Sequence, residues 1–386
     1  VLDSVVDFLK ALGIAAPGRL GWITVIITFV IAGLAAWRLM PYVRIFSLKV
    51  GWADEPNARR INKEPLPNAG GLAIFASVTV ALIISTLLHH IGIDEVQVEV
   101  LAVLLGGAFM IMAGFIDDQF GLPPVFRLVV QLIAALLLVS TGIWIEVTFG
   151  GSWSEVISVI ITVVWIMAIT NAVNLVDGVD GLAGGVSFIT AMSLLAVSAQ
   201  IQSKAAATLL LAAVAGAAIG FLRHNFPPSR IIMGDSGAYF FGFVLAATSI
   251  LGNLKVTTVV SLFPTVLFLF LPLLDTVVVI VRRLLKRTNP ISTPGTDHLH
   301  HRLLAFGFTP TGTTLVLWAI TLAANIVAMA VQGLSALVIV VTTVVIVTFL
   351  ALVAWRRRVA HRRAVKRERR QQARQSQTDQ GPPISP

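Results

Sequence analysis

Residues 156–182 read VISVIITVVWIMAITNAVNLVDGVDGL. The stretch 156–174 is apolar almost throughout, and about 20 such residues are what one helix needs to cross a bilayer. It runs straight into amides, carboxylates and glycines instead of an ordinary loop. The same alternation of long apolar runs and abrupt polar blocks recurs along the chain. Further runs lie at 21–40, 70–88, 98–116, 127–145, 182–200, 205–222, 236–252, 256–281, 313–331 and 335–355. The pattern predicts an all-α integral membrane protein with about eleven transmembrane helices.

Composition agrees. Of 386 residues, 56% are hydrophobic and 12% charged, against about 25% charged in a soluble domain. A mean hydropathy of +0.89 is too high for one soluble core to hide. Cysteine is absent, which excludes disulfides, thiolate metal sites and a cysteine nucleophile. The net charge of +9 is concentrated in one place. Ten of the 28 Lys and Arg fall between Arg356 and Arg374, and the remainder of the chain is near neutral. That argues against a nucleic-acid partner. Val1 to Arg19 carries Asp3 and Asp7 and has no basic segment before a short apolar one, so it does not read as a signal peptide.

Two domains follow: a polytopic membrane domain, 1–355, with polar loops 41–69 and 282–312, and a basic tail, 356–386. The tail is rich in Arg, Gln and Ser, so it is expected to be disordered and to touch anionic lipid. With the first span leaving into the cytoplasm, fourteen Lys and Arg before the tail lie inside and four outside. By the positive-inside rule the N-terminus is then outside and the C-terminus cytoplasmic. Trp22, Trp144, Trp153 and Trp355 fall near span ends, where interfacial aromatics belong.

This topology sorts the acidic residues. Those on the outer side are scattered, whereas several inner ones abut apolar runs, where an ionisable group is costly and hence a functional candidate. Gly114-Phe115-Ile116-Asp117-Asp118 closes a span with two repelling carboxylates, about 100° apart if helical. A cation or a proton-transfer role would relieve them, and a helix end meeting water is the plain alternative. In 171–182, Asn174, Asp177 and Asp180 recur every three residues and share a face if the helix continues. Such oxygen ligands suit a hard cation such as magnesium, and a capped polar turn is the alternative. In Met233-Gly234-Asp235-Ser236-Gly237, Asp235 is either a cap or a metal carboxylate beside a phosphate-binding helix N-terminus.

Asp297-His298-Leu299-His300-His301-Arg302 follows a basic loop. It fits phosphate oxygens better than a transition metal, with a solvated loop as the plain reading. The stretch from Ala53, ADEPNARRINKEPLPNAGG, offers Arg59, Arg60 and Lys63 to an anion or serves as a topogenic loop. Asp275 lies inside the ninth span, seven residues before Arg282, and reads as a buried packing partner. No Walker A sequence or nucleophile elbow is present. Together these residues suggest magnesium-assisted phosphoryl transfer involving a lipid-embedded partner.

Five blocks in order, DEPNARR…PLPNAGG, GFIDD, NAVNLVDGVDGL, NFPPSRIIMGDSG and DHLHHRLL, resemble the polyprenyl-phosphate N-acetylhexosamine-1-phosphate transferase family. The resemblance covers nearly the whole chain. It implies transfer of a sugar-1-phosphate from a UDP-sugar to undecaprenyl phosphate with release of UMP. It also implies Mg²⁺, with Mn²⁺ as a substitute, and ten or eleven spans in the bacterial inner membrane. The site would face the cytoplasm, and the family's habit points to a homodimer. The pattern His298, His300, His301 looks like the N-acetylglucosamine branch, with UDP-GlcNAc as donor, rather than the muramoyl-pentapeptide branch.

Carried over by motif, Asp117 and Asp118 would be catalytic, Asp117 deprotonating or orienting the lipid phosphate. Asp235, Asn174 and Asp177 would serve the metal. Lys63, Asn68, Asp180, Ile232, His298, His300, His301 and Arg302 would bind the nucleotide sugar, with Asp180 at the uracil edge. Two positions depart from the family. Ile232 stands where a uracil-stacking Phe is frequent, and Asn62 where a His is. A secondary transporter is the reading from another class. Its site would lie near the midplane, whereas these blocks lie at span ends.

Overall fold

The computed structural model of the chain describes residues 21–54, 65–89, 93–147, 153–201, 204–253, 263–287 and 297–379. Helices run as α1 Gly21–Val50, α2 Gly70–His89, α3 Ile93–Phe120, α4 Pro124–Ser140, α5 Ser154–Val176, α6 Leu182–Ser198 and α7 Ala205–Asn225. They continue as α8 Gly234–Asn253, α9 Phe263–Phe268, α10 Phe270–Leu285, α11 Leu299–Ala305, α12 Pro310–Val331 and α13 Ala336–Asp379. Two short strands, β1 (Ala53–Asp54) and β2 (Leu66–Pro67), pair antiparallel with Ala53 opposite Pro67. In hydrocarbon each backbone N–H and C=O must find a partner within the protein, which makes the helix the natural element for these apolar runs.

Among the described residues each of the eleven segments marked out by hydropathy overlaps a helix, the segment 127–145 running past the end of α4 at Ser140. Among the described residues, eight helices are long and apolar enough to cross a bilayer, and α4 and α6 are shorter apolar helices. The predicted span 256–281 is described only from Phe263, and there the chain breaks at Leu269 into α9 and α10. The basic tail departs from expectation. Rather than being disordered, it continues α13 as helix to Asp379. Arg, Gln, Lys and Ala are strong helix formers, and they extend a helix already nucleated by the apolar run before them.

α6, α7 and α8 form the centre. α7 and α8 are buried almost along their whole length, whereas α13 is mostly exposed. The sequence of α7, AAATLLLAAVAGAAIGFLRHN, is rich in small residues, so neighbouring backbones come close. Its Gly216 and Gly220 seat against the α1 backbone at Phe29 and Gly33. α8 fills the middle with Tyr239, Phe240, Phe241 and Phe243, all buried. Hydroxyls inside the bundle bond back along their own helix, as Thr248 Oγ1 does to Val244 O at 2.7 Å, or across helices, as Thr28 does to Ser85 at 2.6 Å. This packing brings the ends of α3 and α5 and the start of α8 together at one end of the bundle.

Candidate active site

The start of α8 is the hub. Gly234 has φ +70°, a conformation most side chains avoid, and a Cβ there would run into Asn68 O and the Asp118 carboxylate. Asp118, near the end of α3, accepts hydrogen bonds from Asp235 N at 2.9 Å and Ser236 N at 3.3 Å. It thus satisfies two of the open N–H groups of the helix N-terminus. The phosphate-binding role suggested for that terminus is therefore corrected at these two N–H groups, which Asp118 occupies. Asn174, on the last turns of α5, donates Nδ2–H to Asp235 Oδ1 at 2.9 Å. Asp235 also faces the Asp117 carboxylate.

Asp117 has different partners from Asp118, as adjacent helical positions should. Arg127 of α4 donates to Asp117 Oδ2 at 2.9 Å, and Leu122 N donates to Oδ1 at 2.6 Å. Arg127 also reaches Tyr239 OH at 3.4 Å. Three carboxylates thus converge with Arg127 as the cation paired to them among the described residues. No group of three or more His, Asp or Glu among the described residues is arranged to enclose a metal. Mg²⁺ is commonly held by one or two carboxylates completed by water and substrate phosphates. An open set of Asp235, Asp117 and Asn174 oxygens fits that habit.

The first loop is bonded to the hub through backbone. Ile232 N donates to Pro67 O at 2.9 Å, Gly70 N to Ile232 O at 3.1 Å, and Gly71 N to Met233 O at 2.9 Å. Ile232 thus acts here through its main chain. Asn68 is buried and spends both ends of its amide inside the protein. Its Nδ2 donates to Asp54 Oδ1 at 3.0 Å, and its Oδ1 accepts from Gln119 at 3.1 Å. Asn68 therefore braces the loop behind the carboxylates. Lys63, Arg59 and Arg60 lie outside the described residues.

Helical spacing fails beyond Val176. Asp177 caps α5, its N–H bonding Asn174 O at 3.1 Å, and Gly181 turns the chain with φ +76°. Asp180 is thereby taken off the face of Asn174. Its Oδ2 accepts from Ser229 N at 2.8 Å, and Thr314 donates to its backbone O at 2.9 Å. Burial pushes its carboxyl up, opposed by the Ser229 N–H. The histidine block forms α11, with His298 at its N-cap. Asp275 does not use Arg282 as its partner, contrary to the seven-residue spacing. Its Oδ2 instead accepts from His298 Nδ1 at 2.7 Å and its Oδ1 from Leu299 N at 2.6 Å.

His300 stacks on His298, with centroids 5.5 Å apart and planes at 9°. It also contacts Gly178, where a Cβ would strike its Nε2. This contact joins the histidine block to the 171–182 block. Burial pushes His300 down to about 3, and His301 downward as well. Arg302 follows on the same helix, its N–H bonding His298 O at 3.1 Å. Asp297 is tied to Lys286 at 3.0 Å, which lowers its carboxyl.

Arg127 stands in the sequence only as a topology charge, and no motif gives Tyr239, Gln131 or Asn171 a role in the site. The available signal was that Arg127 is the lone charge in PVFRLVVQLIAALLLVS. Gln131 and Asn171 exchange hydrogen bonds of 2.6 and 3.3 Å across α4 and α5.

An all-helical membrane bundle with carboxylates, amides and imidazoles gathered at one end defines the class: an integral membrane protein carrying a polar centre. The family model for glycosyl transferase family 4 matches residues 100–253, which hold Asp117, Asp118, Asn174 and Asp235. A Bacillus subtilis protein, a probable undecaprenyl-phosphate N-acetylglucosaminyl 1-phosphate transferase, is 32% identical over 315 residues, spanning 80% of this chain and 86% of the relative. A Mycolicibacterium smegmatis decaprenyl-phosphate N-acetylglucosaminephosphotransferase is 31% identical, spanning 74% and 77%. A Yersinia pestis undecaprenyl-phosphate alpha-N-acetylglucosaminyl 1-phosphate transferase is 29% identical, spanning 74% and 78%. The chain belongs to glycosyl transferase family 4 and is a membrane-embedded transferase, as the five blocks implied.

Proposed function

We propose that the protein transfers N-acetylglucosamine-1-phosphate, or the 1-phosphate of a related N-acetylhexosamine, from a UDP-sugar to undecaprenyl phosphate, releasing UMP. The observation that carries this reading is the convergence of three sequence blocks on one centre, Asp117 with Asp118, Asn174, and Asp235. The relatives named for such transfers support it.

An oxygen of the lipid phosphate attacks the β-phosphorus of the UDP-sugar. The bond from that phosphorus to the bridging oxygen breaks, and the bridging oxygen leaves on UMP. The lipid ends as a sugar pyrophosphate. Asp117, aligned by Arg127 and Leu122 N, orients the acceptor and takes its proton when it arrives protonated. Asp118 holds the start of α8 and so fixes Asp235. Asp235 and Asn174, with Asp117 facing them and Asp177 at the adjoining cap, would hold Mg²⁺ or Mn²⁺, which when bound spreads the charge of a pyrophosphate. Asp275 holds His298 at the N-cap of α11, and His298, His300, His301 and Arg302 would border the pyrophosphate and sugar. Lys63 and Asp180 serve the nucleotide. Direct attack is the simplest course for these groups.

The proposed setting is the bacterial inner membrane, with eleven spans, an outer N-terminus and the site facing the cytoplasm. The excess of inner Lys and Arg supports it.

UMP release by the purified protein with undecaprenyl phosphate and Mg²⁺ is the test, with UDP-GlcNAc beside UDP-MurNAc-pentapeptide. Release with UDP-GlcNAc alone, abolished by EDTA, is expected. Release with the pentapeptide substrate alone would move the protein to the other branch. No release with any UDP-hexosamine from a folded sample would refute the transfer.

A further inference from the structure

A second charged site lies at the same end of the bundle, on its rim. The middle of α1, the end of α7 with the loop after it, and the middle of α13 line an open cavity of about 470 Å³, where Trp37, Arg223, His224, Arg230, Trp355, Arg356 and Arg357 meet. None of the transferase carboxylates belongs to this lining, and among the described residues it contains no carboxylate at all. Guanidiniums crowded around one space repel one another. Protein partners do little to relieve them. Arg223 lies over the Trp37 ring at 5.0 Å, and Arg38 lies over it at 5.1 Å. Arg357 is spent on the backbone carbonyls of Phe226, at 3.1 Å, and Pro228. The nearest acid that Arg357 feels is Asp180, and Asp180 is already bonded to Ser229 N.

We propose that this cavity binds the phosphate of an anionic glycerophospholipid. Multiple guanidiniums match phosphate oxygens, and Trp37 and Trp355 provide the aromatic level at which headgroups sit. A lipid fits better than a free anion because the helix that lines the cavity, α13, also carries exposed apolar side chains on the turns before it. From Trp355, which is 61% exposed, Leu352, Val347 and Val344 follow along α13 and are also exposed. They spread over about 140° of the helix surface, a broad apolar side along which an acyl chain can lie. The headgroup would neutralise the charges around Arg357, which braces the loop preceding Ser229 and so supports Asp180.

The test reconstitutes the full chain in phosphatidylcholine nanodiscs containing a minor fraction of phosphatidylglycerol, then measures lipid retained on extraction by native mass spectrometry. Wild-type protein is expected to retain phosphatidylglycerol selectively. A triple variant, Arg223→Gln, Arg230→Gln and Arg356→Gln, loses roughly a hundredfold in apparent affinity. The Lys counterpart keeps most of it. Should the triple variant fail to fold, the exposed single change Arg356→Gln gives the same reading with a smaller loss. Retention by the Gln variants equal to wild type overturns the proposal. Displacement of the lipid by millimolar inorganic phosphate reassigns the cavity to a free anion and overturns the lipid. In a second arm with an equal fraction of polyprenyl phosphate added, its selective retention over phosphatidylglycerol overturns the lipid in favour of the acceptor.

Discussion

Asp235 is the residue on which the carboxylate centre turns, since Asn174 and the Asp118-bound backbone both converge on it. Asp235→Asn keeps the volume and the hydrogen-bonding reach but removes a charge. It is expected to lower UMP release by roughly a hundredfold or more, with an unchanged helical circular-dichroism signal. Turnover near the wild-type level would remove Asp235 from the metal set. Arg127→Gln leaves Asp117 without its cation. The loss of stability should be about 2 kcal/mol, below the ~3–5 kcal/mol of a fully buried pair because Arg127 keeps 30% exposure. Arg127→Lys should recover part of the turnover, and thermal unfolding read beside UMP release separates the two effects. At this scale the acidic candidates were legible because carboxylates beside apolar runs are costly and conspicuous. Arg127 and Gln131 were not, because a partner ten or forty residues away leaves no local pattern.

The short helix α11 and the turn it packs against form one device. Both blocks are legible in the sequence, and the three-residue spacing predicts Asn174, Asp177 and Asp180 on a common face. Helical periodicity holds only while φ and ψ stay helical, and the cap at Asp177 followed by Gly181 ends it. What the turn provides instead is room at Gly178 for His300. Gly178→Ala puts a methyl where His300 Nε2 lies. The overpacking costs about 1–3 kcal/mol and should displace α11, so turnover falls while the span helices stay intact. Limited proteolysis in the 288–312 region would then rise. Unchanged proteolysis and turnover would mean that the two blocks do not depend on each other. The burial of His300 sets a pH response. His300 titrates at about 3 when folded against 6.5 ordinarily, so between these values the unfolded chain takes a proton that the folded one refuses. Stability falls as pH drops below 6.5, by up to about 1.4 kcal/mol per unit. Asp180, raised by burial, has the opposite slope, losing stability as pH rises. Thermal unfolding at pH 7.5 and 5.5 should therefore show a smaller acid loss in His300→Gln than in wild type.

At the scale of the molecule, hydropathy located the helical segments because lipid leaves the backbone few alternatives. It could not locate the break at Leu269, whose flanks are equally apolar, or the helical run of α13 through the basic tail, where composition alone suggested disorder. Orientation is a separate matter from helix placement, and it rests on charge. On the proposed topology the inner segments hold fourteen Lys and Arg before the tail and the outer ones four. The chain offers a direct test, since it contains no cysteine and each introduced thiol reports alone. Ser154→Cys, at the start of α5, is expected to react in intact cells with a membrane-impermeant maleimide. Ser376→Cys, in the basic tail, should react only after the membrane is opened. The reverse pattern would invert the bundle and turn the carboxylate centre away from a cytoplasmic nucleotide sugar. Labelling of both sites from the same side would instead require an even number of crossings between Ser154 and Ser376. In that case α9 and α10, already broken at Leu269, would be the first place to look for a segment that enters the membrane without crossing it.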